Sequence, residues 1–254
     1  PITAWELDRT PDRNIDWTLN RIVNRGGFPE PFLADDPTEA DRWRTGYTDA
    51  LIRFDVPDFN RINELHKMQL LVDMLRRRVG SPVSYNALAE DLSISPNTVT
   101  RYIEILESVF LIFRVPPFAR EITRAIRKTP KIYFYDVGMV AGNVGIKQEN
   151  QAALELISHC NRRRDRHGRR MLLHYLRTRN GQEVDFALVN DGTVETAIEI
   201  KSKETRPSAG LRYFVERYGF PGVQVVFDAV EPRSHGAIDV VPAATYFAAL
   251  DRSG

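Results

Sequence analysis

Hydrophobic and polar positions alternate most regularly between Leu172 and Lys201, and that stretch predicts three antiparallel strands. Along the middle one, Val184, Phe186 and Leu188 fall on one face and Glu183, Asp185 and Ala187 on the other, because strand side chains alternate in direction. In the third, Ile198 and Ile200 share a face, and Glu199 and Lys201 share the opposite one. Asn180-Gly181 and Asp191-Gly192 separate the strands. Both dipeptides suit two-residue hairpins with positive φ at both central positions.

The first half reads mostly as helix. Apolar residues at helical spacing predict elements over Asp16–Val23 and from about Glu39 to Asp55, with Arg25-Gly26-Gly27-Phe28-Pro29-Glu30-Pro31 breaking the chain between them. A third helix runs through Ile62, Leu65, Met68, Leu71, Val72 and Leu75 to the triplet Arg76-Arg77-Arg78. Ser84 is placed to cap a short helix ending at Leu92. Ser95 with Pro96 starts another helix through Ser108, whose inner stripe is Val99, Tyr102, Ile103 and Leu106. Val109–Val115 reads as a strand closed by Pro116-Pro117. Helix, helix, turn, helix, strand resembles a winged helix-turn-helix, with the phrase A-x-x-L-x-I-S-x-x-T-V at Ala89 to Val99.

Residues 118–146 read as a hinge holding a buried strand at Tyr133-Phe134-Tyr135 and a turn or capping residue at Asp136. A helix follows over Glu149–His159, and the arginine-rich run after it reads as a loop before the first hairpin strand. Beyond Lys201 the pattern predicts a helix over Pro207–Tyr218, strands at Val223–Phe227 and Ile238–Val241, and a last helix over Ala243–Leu250. The organisation expected is a helical segment over 1–58, a winged helix-turn-helix over 59–118, and a sheet domain over 119–254.

Composition narrows the class of protein. The chain has 254 residues, 43% hydrophobic and 27% charged, ordinary values for a globular protein with a real core. Its net charge of +1 does not announce nucleic acid, so any basic surface is local. The single cysteine, Cys160, excludes an internal disulfide and fits a reducing, cytoplasmic setting; a small buried apolar role suits it better than a reactive one. No apolar run approaches the ~20 residues that span a bilayer, so no membrane partner is expected. His159, His167 and His174 lack the spacing of a zinc site, no Ser-His-Asp arrangement is arguable, and no G-x-x-x-x-G-K-[ST] loop exists for ATP.

Candidate chemistry centres on Asp185, Glu199 and Lys201. Glu199 and Lys201 interrupt an apolar strand, where charges are costly without a partner. With Asp185 opposite, the two carboxylates suit a hard divalent cation such as Mg²⁺, which keeps several waters and shares its shell with phosphate. Lys201 would orient the attacking water or stabilise charge on phosphate. The alternative is three solvated charges on an exposed face. On the helix after Ser95, Asn97, Thr98, Thr100 and Arg101 are candidates for DNA contact, Asn and Arg for base edges and Thr for phosphates. A protein-facing or interdomain role for that unit stays open. The run Arg162, Arg163, Arg164 to Arg170, with six arginines in nine positions, and Lys203 are candidate phosphate contacts; a solvated loop is the competing reading.

The pattern of Asp185 followed by Glu199-Ile-Lys201 resembles the PD-(D/E)xK nuclease superfamily, with Val184 in place of the proline before the first acid. The ordered combination of R-G-G-F-P-E-P, the winged helix, K-x-x-K-I-Y-F-x-D-x-G (Lys128 to Gly138), Glu149-Asn150, R-x-x-x-G-x-E-V-D-F (Arg177 to Phe186) and I-E-I-K (Ile198 to Lys201) resembles the DUF4143 region of prokaryotic AAA-type proteins over nearly the whole chain. The meander, helix, strand and closing elements fit a restriction-endonuclease-like α/β/α domain, DNA is the expected partner with an oligomer allowed, and the resemblance implies an ATPase domain N-terminal to the Pro1 start. It adds Glu149 as a catalytic acid near the metal, a role that competes with that of a helix N-terminal acid favouring the dipole. Two functions follow as expectations: Mg²⁺-dependent DNA cleavage, or a non-catalytic module that couples an ATPase to DNA or protein.

Overall fold

Asn14, Ser84, Ser95, Asn143 and Ser208 each accept a hydrogen bond from an amide of the helical turn that follows, and these caps set where several helices begin. The computed structural model describes residues 1–4, 6, 14–54, 62–119, 129–168, 170–228 and 230–250. Its first half carries α1 (Ile15–Arg25), α2 (Pro29–Leu33), α3 (Pro37–Phe54), α4 (Ile62–Arg76), α5 (Tyr85–Leu92) and α6 (Pro96–Ser108). The break expected at Arg25–Pro31 contains the start of α2, with Pro29 at its first position, where proline costs no hydrogen bond. The expected helix end at Asp55, the 58/59 boundary, the 120–128 part of the hinge and Arg169 lie outside the described residues.

After α6 the chain forms β1 (Ile112–Val115), which pairs antiparallel with β2 (Lys131–Phe134) in the register Ile112↔Phe134 to Val115↔Lys131. All four residues of β2 are buried, Lys131 included. Asp136 then caps a 3-10 turn (Val137–Met139) by accepting from the Gly138 amide, as its position after the strand suggested.

α7 (Val144–His167) is longer than the helix expected, and the arginine run is not a loop. Arg162, Arg163, Arg164 and Arg166 occupy its last turns, and the helix ends only at Gly168, in the left-handed conformation at φ 63°. Nothing before Gly168 breaks the helix, and basic side chains at a C-terminus are favoured by the peptide dipoles.

The remaining strands form one mixed sheet in the order β3-β4-β5-β6-β8-β7. β3 (Met171–Arg177), β4 (Glu183–Asn190) and β5 (Thr193–Lys201) are the antiparallel meander that the alternation predicts. α8 (Ala209–Tyr218) crosses to β6 (Gly222–Val226), parallel to β5. β8 (Ile238–Pro242) is parallel to β6, short β7 (Arg233–His235) pairs antiparallel at the edge, and α9 (Ala243–Ala249) closes the described chain. α7 packs with Phe186, Leu188, Ile198 and Ile200 in the main core, while Leu211, Phe214 and Val215 of α8 meet Val184, Ala187, Val189 and Ala197 in a second one. The result is an α/β architecture with helices on both faces of a mixed sheet.

Two local expectations are corrected. Val184 does not share a face with Phe186 and Leu188; it packs in the α8-side core and they pack in the α7-side core. The cause is a bulge: the β3–β4 register jumps from His174↔Ala187 to Leu176↔Val184, inserting an extra residue on β4 beside Asp185. The β3–β4 connection is also longer than a two-residue hairpin, with the Thr178 amide bonded to the Gln182 carbonyl at 2.9 Å and positive φ at Gly181 but not at Asn180. Asp191 and Gly192, at φ 47° and 78°, form the expected turn between β4 and β5.

A carboxylate and lysine cluster at the end of the meander

Asp185 sits at the bulge, and its Oδ2 accepts from the Ile200 amide at 2.9 Å. The regular β4–β5 pairing stops at Phe186↔Ile198, so this carboxylate takes a β5 donor beyond the point where backbone pairing ends. That placement brings it beside Glu199, as the hairpin register implies. Glu199 is 6% exposed, and its Oε1 lies 2.8 Å from Lys201 Nζ. Its Oε2 is buried without a hydrogen-bond partner. Burial, reinforced by the charge of Asp185, raises the Glu199 carboxyl to about 7, with Lys201 opposing. Burial alone would lower the Lys201 pKa; the Glu199 charge outweighs it, so the net shift is upward.

Glu149 joins them from the second turn of α7. It accepts from the Tyr133 hydroxyl at 2.7 Å and faces Lys131 Nζ at 3.4 Å. Burial and the Asp185 charge raise it to about 7 as well. Gly80, after α4, leaves room for this carboxylate: a Cβ there would stand 2.7 Å from Glu149 Oε2. Lys131 holds the other side of the cluster. Its ammonium is 2.9 Å from Glu183, 3.4 Å from Glu149 and 3.7 Å from Asp185, and it lies 5.4 Å from the centre of the Tyr175 ring. Burial pulls its pKa down, but the three acids reverse the effect and keep the amine charged.

Thus Asp185, Glu199, Lys201 and Glu149 come together as expected. Lys131, Tyr133 and Glu183 are additions, and the signal for Lys131 was present: a lysine in the apolar run Lys131-Ile132-Tyr133-Phe134 needs partners as much as Glu199 does. Gln224, fully buried and opposite Glu199 in the β5–β6 register, was also missed. It accepts from the Ser208 amide at 2.9 Å and donates to the carbonyls of Glu204 and Arg206 at 2.7 and 3.0 Å, pinning the loop that follows Lys201.

The candidate nucleic-acid contacts lie on other elements. Asn97 and Arg101 are exposed on α6. The Thr98 amide and hydroxyl both meet the Ser95 cap, and the Thr100 hydroxyl donates to the Pro96 carbonyl, so both threonines are engaged within their own helix. Arg162 and Arg163 are partly buried, Arg164 is exposed beside Asp165, and Lys203 is exposed next to Glu204. Cys160 is buried and reduced, with its thiol pushed up to about 12 by burial.

Asp185 and Glu199 are hard oxygen donors, and the partnerless Glu199 Oε2 offers one of them. Among the described residues no three His, Cys, Asp or Glu side chains are arranged as a cage that could hold a metal ion. Asp185 and Glu199 are the two residues that could serve an ion such as Mg²⁺, which takes one or two carboxylates and completes its shell with water and phosphate.

Residues 16–150 match the model of a domain of unknown function, DUF8612, and residues 145–246 match that of another, DUF4143. The likeness to DUF4143 thus covers the sheet half rather than nearly the whole chain. An uncharacterized protein of Mycobacterium tuberculosis is 28% identical over 136 residues, 54% of this chain and 30% of the relative. An uncharacterized protein of Methanocaldococcus jannaschii is 26% identical over 201 residues, 77% and 45% respectively. One of Haemophilus influenzae is 23% identical over 145 residues, 55% and 36%. The matched regions span less than half of these relatives' own length. No solved structure matches the chain. No helix among the described residues is long and apolar enough to cross a membrane.

Proposed function

The chain belongs to the DUF8612 family of unknown function, and on its site we propose that it is a Mg²⁺-dependent nuclease module that hydrolyses phosphodiester bonds in DNA. The observation that carries this reading is the meeting of Asp185, Glu199 and Lys201 at the open end of β4 and β5, with one Glu199 oxygen buried and unpartnered. Three mutually repelling acids are expensive to keep together, and an acquired cation relieves that cost. Asp185 and Glu199 would hold the ion, which supplies Lewis-acid activation of the phosphate and a more acidic water. Lys201, oriented by Glu199, positions the attacking water or balances charge on the phosphate. Glu149, which accepts from the Tyr133 hydroxyl, adds a third carboxyl group on the Asp185 side of the site.

In this reading α4–α6 with β1–β2 act as a winged helix-turn-helix that meets DNA through Asn97 and Arg101. The sheet half is restriction-endonuclease-like, and an AAA-type ATPase domain elsewhere in the full-length protein delivers the substrate. Incubating supercoiled DNA with the chain and Mg²⁺ tests the proposal. Nicking that disappears with EDTA and in Asp185→Asn is expected; nicking that survives in Asp185→Asn would overturn the assignment.

A second reading has its own support. Lys131 already neutralises part of the acid cluster, as a non-catalytic module that couples an ATPase to DNA or protein would require. It predicts DNA binding indifferent to Asp185 and to divalent ions.

A further inference from the structure

Lys131 reaches the acid cluster from β2, a strand paired with β1 rather than belonging to the sheet that carries Glu183 and Asp185. It is 1% exposed, and its ammonium has three carboxylates within 3.7 Å: Glu183, Glu149 and Asp185. Arg177 holds the second oxygen of Glu183 at 3.1 Å. On the opposite side, Glu199 pairs with Lys201 through Oε1 and has the Ser208 side chain nearby, while its buried Oε2 makes no hydrogen bond of normal geometry. The cluster is thus asymmetric. One side is filled by a fixed monovalent cation, the other offers oxygen donors, and Asp185 is common to both.

We infer that Lys131 is a tethered counter-cation that occupies the Glu149–Glu183 side of the cluster and limits the site to a single divalent ion, taken by Asp185 and Glu199. Two-ion phosphodiesterases place their cations ~3.5–4 Å apart with carboxylates bridging them. Here the ammonium stands among the acids that would serve the second ion. A divalent ion brought there would have to share Asp185 with Lys131 and feel its charge at short range in a partly desolvated site. The ammonium cannot withdraw to water without abandoning a buried position and stripping Glu149, Glu183 and Asp185 of the cation they share. This inference rests on the metal-site reading above but is separable from it.

The test is a calorimetric Mn²⁺ titration of the full chain and of Lys131→Met, which keeps the apolar stem and removes the charge. The expected stoichiometry is one ion in the wild type and two in the variant. Unchanged stoichiometry in a folded Lys131→Met would overturn the inference. If that variant does not fold, the wild type still decides: the paramagnetic resonance spectrum at saturating Mn²⁺ should be that of an isolated ion. The exchange-coupled signature of a Mn²⁺ pair would overturn the inference. No ion in the wild type but one in Lys131→Met would refute the nuclease reading while supporting the role given to Lys131.

Discussion

The amide of Gly27 donates to the Oδ1 of Asp136 at 2.8 Å, joining two parts of the chain that lie 109 positions apart. Asp136 is 1% exposed and also accepts from the Gly138 amide. Gly26 makes the approach feasible. Its φ of 92° and ψ of 169° belong to a region that glycine almost alone adopts, and a Cβ would fall 2.3 Å from the same carboxylate oxygen. The R-G-G-F-P segment and the Y-F-Y-D-V-G segment are therefore two halves of one joint between α1 and the end of β2, not a phosphate loop.

Gly26→Ala should lower the unfolding free energy by about 2–4 kcal/mol, combining backbone strain with loss of the Asp136 hydrogen bonds. Denaturant titration measures it. A midpoint equal to the wild type would mean that the joint relaxes freely and that the glycine is not required.

The meander, the capped helices and the Asp185–Glu199–Lys201 grouping were legible because each rests on local signals: alternation, Ser-Pro starts, and charges in an apolar strand. The bulge at Asp185 was not legible, since period-2 reasoning assumes unbroken pairing, and a single extra residue sends Val184 and Phe186 to opposite cores. Lys131 escaped for another reason. Its partners Glu149, Glu183 and Asp185 come from two other elements, and only the packing of β2 against α7 and the sheet brings them within 3.7 Å. The arginine run gives no loop because nothing before Gly168 interrupts the helix, and its charge density hides that continuity in the sequence.

Glu155 predicts a pH dependence of stability. It is buried on α7 and accepts from the Ala4 amide and from Gln151 Nε2, each at 2.7 Å. Burial raises its carboxyl from 4.5 to about 7; Arg162 opposes the shift and Glu6 adds to it. Between those values the folded state holds the proton and the unfolded state has released it, so stability falls as pH rises through the window. Glu155→Gln retains the accepting oxygen and removes the titration. It should stabilise the protein by about 3 kcal/mol at pH 8 and leave stability nearly unchanged at pH 4. Thermal melts at the two pH values check this; an equal effect at both would remove Glu155 as the titrating group.

Two substitutions at Asp185 separate structure from chemistry. Asp185→Asn keeps an acceptor for the Ile200 amide, whereas Asp185→Ala leaves that donor without its carboxylate. The alanine variant should be less stable than the asparagine variant by about 1–2 kcal/mol, with both lacking DNA cleavage. Denaturation curves that coincide would show that the Asp185–Ile200 bond does not hold the bulge.

On α6, Arg101→Ala should relax sequence preference and, by removing a positive charge, reduce the slope of log affinity against log salt by about one. Asn97→Ala should relax sequence preference and leave the slope unchanged. Fluorescence anisotropy at several salt concentrations distinguishes the two, and an unchanged slope in Arg101→Ala would place the DNA contact on another element.

The most direct test of the central claim is calorimetric titration of Mn²⁺ into the wild type and Asp185→Asn, with melting curves confirming that both are folded. The account predicts binding in the wild type that is lost in Asp185→Asn and strengthened by a short DNA duplex. Absence of binding in the wild type, or equal binding in both proteins, would contradict a metal site built on Asp185 and Glu199.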